Sequence, residues 1–523
     1  MIVNPINFIY SLFEEPSENS EPMPPWKLAL YSASLAALTT FSIMRLAYKI
    51  SWKAVGRKVV QMVPSIDKKL EEDMLKIERE LEEKCYQNEH LGEVFLEIPD
   101  EGVSVETILK RFQNKEALPI ENIHLNEQID LILRVYNLVL NKISVNKNDG
   151  FLISKLEKEI VRMFCNKLKG DIYTCGNITY DATASIRHAV FSARETAKVR
   201  GLDKDWEMIV PESAHPAFDK IANEYNITLI KTDVYPSTHS KAFQADLDQI
   251  RSSISPKTIL IALSYPNYPY GVVDPIAELS NLLESVDGNQ RIGLHVDASL
   301  GGLVAPWMDE AGYGDNLSSG FGFDIPRITS LSVNTHTFGR SKKGASVVLY
   351  RNEKWREHQM FVTTEWAGGV YCTAGLDERE ADFDVAGTWA LMVALGKKGF
   401  VNETKKLIHT ARELVKRLRD SNLEVFGEPK LMVIAFGFKD NSLPLKEITT
   451  HMKEKGWSLR LLHHPVGLQV TVSLQDAANP EFVNEFMRDL NQIMNSGTKK
   501  PLSCPYFGGS IDKLEARAFI PKV

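Results

Sequence analysis

The chain has 523 residues, more than one compact core usually holds, so two or more domains are expected. A formal net charge of −7 at pH 7 gives no electrostatic footprint for nucleic acid, and no nucleic-acid partner is expected. The five cysteines have no CxxC spacing, which argues against a disulfide framework or a metal site and indicates a reducing compartment.

The first distinctive element is an uncharged stretch over residues 28–44, which with its flanks reaches the roughly 20 residues that span a bilayer. Trp26 and Tyr48 stand at its two ends, where aromatic belts form. Acidic residues precede the stretch, whereas lysines and arginines follow it. The positive-inside rule therefore predicts a transmembrane helix over 26–48, with residues 1–25 lumenal and the main body cytosolic. A buried helix is the alternative.

The next elements are helical. Residues 49–110 are predicted as a helical connector, because most of this segment is rich in Glu/Lys pairs and carries apolar residues at three- and four-residue spacing. The same spacing predicts helices over 129–144 and 154–168.

From about residue 170 onward, short apolar runs such as ITLIKTDV, TILIALS and RIGLHVDAS alternate with helical segments. This alternation is typical of an α/β domain whose largely parallel sheet is covered by helices on both faces. In such domains, ligands bind at the strand ends. We assign residues 111–385 to this large domain, 386–498 to a smaller α/β domain and 499–523 to an extended tail.

The most informative stretch is LHVDASLGG, residues 294–302, because it places Asp297 at the end of a buried strand. A partly desolvated carboxylate needs a cationic partner, and in an enzyme that uses pyridoxal 5′-phosphate (PLP) this partner is the pyridine nitrogen. The alternative is an Asp that caps the next helix. His215 follows an earlier strand and the stretch THTFG follows a later one, which is the order of a PLP-dependent decarboxylase-like site.

With these residues in place, the chain resembles the sphingosine-1-phosphate lyases, or sphinganine-1-phosphate aldolases, of the PLP-dependent group II decarboxylase family. The resemblance covers about residues 100–495 and rests on PESAHPAFDKIA, YPNYPYGVVDPI, LHVDASLGGLVAPWM, SVNTHTFGRSKKGASVVLYRN, EWAGGVY and HMKEKGWSL. It implies an aspartate aminotransferase-like large domain, a small C-terminal domain and a homodimer with shared active sites. It also implies an endoplasmic reticulum membrane location, and cleavage of a phosphorylated sphingoid base at its C2–C3 bond into a fatty aldehyde and phosphoethanolamine.

The resemblance also implies residue roles. Asp297 would pair with the pyridine nitrogen of PLP, His215 would stack on the ring and His336 would lie near the cofactor phosphate. Gly368 and Gly369 would reach the active site of the neighbouring subunit.

The chain departs from the family at the catalytic position Thr337. There the family has the lysine that holds PLP as a Schiff base and moves protons, and a hydroxyl cannot form that bond. Lys342 and Lys343 follow across a turn, but Lys343 matches a lysine that the family already has. Neither is expected to replace the missing one.

A second departure is the stretch TYDATASI, where the family reads Thr-Ser-Gly-Gly-Thr-Glu-Ser-Ile. The two family glycines let backbone N–H groups approach the PLP phosphate at a helix N-terminus. Asp181 and Ala182 replace them here, which leaves Thr183 and Ser185 as candidate phosphate donors. A carboxylate at this place repels a phosphate.

A third departure is the acidic loop at 374–384, where the family has a Gly-Ser-Arg-Pro-Gly loop whose arginine faces the substrate. Together the three departures predict a family member without ordinary lyase activity. The alternatives are an active lyase with atypical cofactor handling, a non-catalytic partner that forms a heterodimer with an active paralogue, and an amino-acid decarboxylase. The N-terminal anchor and the HVDASLGG context disfavour the decarboxylase.

Overall fold

The structure is a computed structural model that describes residues 97–495, apart from gaps at 113–126, 144–148, 288–290, 315–319, 339–340, 342–343, 377–381, 422 and 439–444. The predicted transmembrane helix at 26–48, most of the connector and the tail at 499–523 lie outside the described residues. Within the described part of the chain, no helix is both long enough and apolar enough to cross a membrane.

Among the described residues, three helices precede the large sheet: α1 (Val105–Phe112), α2 (Glu127–Ile143) and α3 (Asp149–Lys167). They confirm the helices predicted over 129–144 and 154–168. Helix α3 begins five residues earlier than expected, and the buried side chains of Leu152 and Ile153 join its apolar face to the hydrophobic core.

The large sheet has seven strands. In chain order, the strands and their connecting helices are β1 (Cys175–Thr179), α4 (Ala182–Val199), β2 (Glu207–Pro211), α5 (Ala217–Glu224), β3 (Thr228–Thr232), α6 (Leu247–Ser253), β4 (Thr258–Ser264), α7 (Ile276–Val286), β5 (Gly293–Asp297), β6 (Ile328–Asn334) and β7 (Ser346–Tyr350).

The strand order is β1-β7-β6-β5-β4-β2-β3. Strands β2 to β6 are parallel, and only β7 runs antiparallel to its neighbours β6 and β1. Every residue of β4, β5, β6 and β7 is buried, as expected for strands covered on both faces. The predicted largely parallel sheet is confirmed, and it sets the carboxyl ends of several strands along one edge.

A short helix α8 (Glu353–Arg356) leads into the hairpin β8 (Phe361–Trp366) and β9 (Gly369–Thr373). Next comes the long helix α9 (Asp382–Arg419), which consists of two helices joined at a kink. Gly396 marks the break between them, with φ of 58° and ψ of 176°. A Cβ at this position would lie 2.6 Å from the backbone nitrogen of Gly102, so the kink requires glycine.

A second, antiparallel sheet follows, with strand order β10-β11-β13-β12. Its elements are β10 (Leu423–Val425), β11 (Val433–Phe438), α10 (Leu445–Glu454), β12 (Arg460–His463), β13 (Val466–Thr471), α11 (Leu474–Ala478) and α12 (Phe482–Asn495). One hydrophobic cluster contains side chains from both sheets, so the small sheet packs on the same core as the large one.

A buried ion pair joins the end of α7 to the large sheet. The side chains of Arg327 and Asp287 are each 1% exposed and lie 2.8 Å apart. The guanidinium also donates to the carbonyls of Leu283, Asp287 and Ile292. Burial alone would raise the pKa of Asp287, but the Ile292 amide and the guanidinium hold it below its ordinary value. The guanidinium, the carboxylate and the three carbonyls therefore depend on one another for their hydrogen bonds.

Candidate functional site

The candidate site lies where β5, β6 and β1 end and β7 begins, on the sheet face that α4 covers. Strand pairing places Asn334 opposite Ser346, and Ser346 opposite Thr179, in one row. Asp297 is paired with Ser332, two residues before Asn334 on β6. Because side chains on a strand alternate between faces, these five side chains share one face of the sheet.

Asp297 ends β5 and is 9% exposed. Its Oδ1 accepts hydrogen bonds from the backbone N–H of Ser299 at 3.1 Å, the Ser299 hydroxyl at 2.5 Å and the Ser332 hydroxyl at 3.2 Å. Within the described residues, no group donates to Oδ2. One carboxylate oxygen is therefore held by the protein, and the other is left for a ligand.

His295 lies behind this carboxylate and is fully buried. Its Nε2 is 3.3 Å from the Ser332 hydroxyl and its Nδ1 is 2.9 Å from the Ser330 hydroxyl. Since the single Ser332 proton goes to Asp297, Nε2–H donates to Ser332 and Nδ1 accepts from Ser330. Burial lowers the pKa of His295 and outweighs the opposing charge of Asp297, so the ring is neutral.

We expect replacement of His295 by glutamine to remove a pH-dependent term from stability. The folded protein keeps this imidazole neutral, whereas the unfolded chain takes up a proton near pH 6.5. The contribution of His295 is therefore full at pH 7 and falls by about 1 kcal/mol or more as the pH drops to 5. Urea unfolding of both proteins at pH 7, 6 and 5 measures this. A difference between them that does not change with pH would contradict the prediction.

The N-terminus of α4 borders the same row. Asp181 is its N-cap, and its Oδ1 accepts the Ala184 backbone N–H at 2.6 Å. The fully buried Ser185 hydroxyl lies 2.7 Å from the Thr179 hydroxyl and 2.9 Å from that of Ser346. The carboxylate therefore occupies one amide of the first helical turn, and Ser185 is turned into the protein. Thr183 is half-buried in the first turn.

The segment after β6 holds the position where the family has its lysine. His336 and Thr337 are both half-buried. The Nδ1–H of His336 donates to the Ala345 carbonyl at 3.0 Å, which leaves Nε2 as an acceptor. Lys342 and Lys343 lie outside the described residues, as do the acidic positions 377–380.

Other predicted residues lie further from this row. His215 is exposed, and its Nδ1 accepts the backbone N–H of Ala217 at 3.1 Å. It follows β2, two strands away from β5. Gly368 and Gly369 are exposed at the tip of the β8–β9 hairpin. The roles predicted for these three residues in ring stacking and in a neighbouring subunit stay predictions.

Sequence reasoning missed Asn334. This residue is 9% exposed, and its Oδ1 is a buried acceptor to which no described residue donates. Its backbone N–H donates to the Ser299 carbonyl, which places it beside the Asp297 loop. The signal was a polar side chain at the end of an apolar run, the same signal that pointed to Asp297.

The family described as "Pyridoxal-dependent decarboxylase conserved domain" matches residues 219–439. Mouse (Mus musculus) sphingosine-1-phosphate lyase 1 is 29% identical over 493 residues, which are 91% of this chain and 84% of the mouse protein. The solved structure of Burkholderia pseudomallei K96243 sphingosine-1-phosphate lyase is 31% identical with a TM-score of 0.64, and covers 71% of this chain and 83% of its own. This chain belongs to the sphingosine-1-phosphate lyase family.

Membership of the sphingosine-1-phosphate lyase family confirms the resemblance and the PLP-dependent decarboxylase fold with its large, mostly parallel sheet. The Lactobacillus brevis glutamate decarboxylase structure is 16% identical with a TM-score of 0.62, over 73% of this chain and 88% of its own, and shares the fold alone.

PLP is the cofactor of the sphingosine-1-phosphate lyase family. The residues of this chain fit one end of it and not the other. Asp297 Oδ2 suits a protonated pyridine nitrogen. At the other end, Asp181 places a negative charge on the helix amides that would receive the phosphate, and Thr337 cannot form the Schiff base. The site therefore does not fit the complete cofactor in the family's binding mode.

Proposed function

We propose that this chain is a sphingosine-1-phosphate lyase-like protein of sphingolipid metabolism that does not carry out the family's PLP-dependent cleavage. The proposal rests on Thr337, which stands at the position of the family's lysine, and no described residue of this site is a lysine. The lysine supplies both the covalent anchor and a proton carrier. Loss of general acid–base catalysis alone costs roughly 10²–10⁴-fold in rate.

The test is incubation of the full-length protein with PLP, followed by absorbance spectroscopy, borohydride reduction and mass spectrometry. We expect neither the visible absorbance of a lysine-bound cofactor nor a lysine modified after reduction. A phosphorylated sphingoid base should release no fatty aldehyde or phosphoethanolamine, with an active family member as positive control. Trapping on Lys342 or Lys343 together with turnover would instead establish the active lyase with atypical cofactor handling.

We also propose that the chain works as a dimer, either with itself or with an active paralogue. The β8–β9 hairpin supports this, because it exposes the apolar side chains of Trp366 and Val370 beside Gly368 and Gly369 at its tip and that of Phe361 at its other end. Co-purification of tagged protein with an active lyase from cells would support the heterodimer. Recovery of the chain with itself alone would argue for the homodimer.

The membrane location is a further part of the proposal. We place the chain in the endoplasmic reticulum membrane as a single-pass protein with its body in the cytosol, supported by the uncharged stretch at 28–44 and its basic C-terminal flank. Protease protection of tags at the two ends of the chain in intact microsomes tests the orientation. A protected C-terminal tag would overturn it.

A further inference from the structure

The end of the candidate site formed by β5 and β6 presents hydrogen-bond acceptors. Asp297 Oδ2 and Asn334 Oδ1 each lack a donor among the described residues, and both side chains are about nine-tenths buried. An unpaired buried acceptor costs free energy unless a ligand supplies an N–H or O–H group. Both atoms therefore favour a ligand that brings donors.

Among the described residues of the site, the N-terminus of α4 is suited to an anion, and the chain supplies the anion itself. Asp181 lies at the N-cap with extended backbone angles, and its carboxylate accepts the Ala184 N–H at 2.6 Å. A phosphate arriving there must displace this carboxylate or bear its repulsion. The Ser185 hydroxyl, a further candidate donor, is fully buried and engaged with Thr179 and Ser346.

We propose that this site binds a small molecule that carries a protonated amine and a second hydrogen-bond donor but no phosphate. The amine donates to Asp297 Oδ2, and the second donor reaches Asn334 Oδ1. The far end of the ligand lies toward the N-terminus of α4, where the Asp181 carboxylate already accepts a helix amide. The proposal rests on the site of the proposed function and adds its ligand class.

The test compares pyridoxamine with pyridoxamine 5′-phosphate, a pair that differs only in the phosphate and needs no lysine. Isothermal titration of the full-length protein in detergent is expected to show pyridoxamine binding at least tenfold more tightly than its phosphate. Asp181→Asn keeps a good N-cap but removes the charge, and it should narrow this preference at least fivefold. Asp297→Asn should weaken pyridoxamine binding at least tenfold.

Asp246→Asn is the matched control, because Asp246 caps α6 in the same way, accepting the Asp248 and Gln249 amides outside the site. It should leave both affinities unchanged. Tighter binding of the phosphate form, equal binding of the two, absence of measurable pyridoxamine binding, or an Asp181→Asn variant with an unchanged preference would each overturn the proposal. Lyase turnover by the wild-type chain would overturn the proposed function. The relative affinities for pyridoxamine and pyridoxamine 5′-phosphate would still decide the proposed ligand class.

Discussion

The Thr337→Lys variant is expected to remain without lyase turnover, although it restores the residue that the family uses. The new amine stands at the family's position after the Thr-His pair, but the Asp181 carboxylate still accepts the Ala184 amide at the N-terminus of α4, where the cofactor phosphate would bind. PLP titration by absorbance and product release from a phosphorylated sphingoid base measure the outcome. We expect no product release above that of the chain with Thr337, whereas an active family member serves as the positive control.

The double variant Thr337→Lys with Asp181→Gly separates the two defects. Glycine at an N-cap costs only a few tenths of a kcal/mol relative to aspartate, so the fold should persist. It removes both the charge and the Cβ, and we expect it to gain lysine-bound cofactor absorbance that the single variant lacks. Full turnover by Thr337→Lys alone would show that Asp181 yields to the phosphate, contrary to the expectation.

Replacing Arg327 by methionine is expected to lower the free energy of unfolding by about 3–5 kcal/mol. Methionine fills much of the same volume, but it leaves the Asp287 carboxylate without its buried cationic partner and with only the half-exposed Arg291 beside it. The carbonyls of Leu283 and Ile292 lose their donor as well. Urea unfolding followed by tryptophan fluorescence at pH 7 measures the change.

Arg291→Ala provides the comparison on the same carboxylate. The Arg291 side chain is 49% exposed and lies 3.2 Å from Asp287 Oδ1, so its loss should cost at most about 1 kcal/mol. Equal effects of the two substitutions would mean that burial of the Arg327 pair does not set its importance.

The order of helices and strands was predictable because buried segments require apolar residues, whose spacing is visible in the sequence. The strands β4 to β7 are buried on both faces, and such strands need near-continuous apolar runs that are legible without a structure. Asp297 was legible for the complementary reason, since a carboxylate closing an apolar run is costly unless it has a purpose. Gly396 was not, because its positive φ depends on the backbone of Gly102, nearly three hundred residues earlier in the chain.

The internal geometry of the site was less predictable because it depends on which strands are neighbours. His295 and Ser332 are brought together by the pairing of β5 with β6, and Asn334 and Thr179 by the position of β7 between β6 and β1. The sequence indicated that Asp181 would repel a phosphate. It did not indicate that the carboxylate itself takes the helix amides, because that depends on the backbone angles at the cap.

The chain of hydrogen bonds from Ser330 through His295 and Ser332 to Asp297 limits which residues of the site can be substituted without loss of stability. Each group in it donates its proton toward the carboxylate, so removing any one side chain leaves a buried neighbour without its hydrogen-bond partner. Substitutions at this inner end are therefore resisted by the stability of the fold itself, whatever chemistry the pocket performs. At the outer end, Asp181 and Thr337 are half-buried, and replacing them removes no member of this buried chain of hydrogen bonds. The presence of Asp297 is therefore evidence of the fold, whereas the residues at positions 181 and 337 are evidence of whether the family's reaction is carried out.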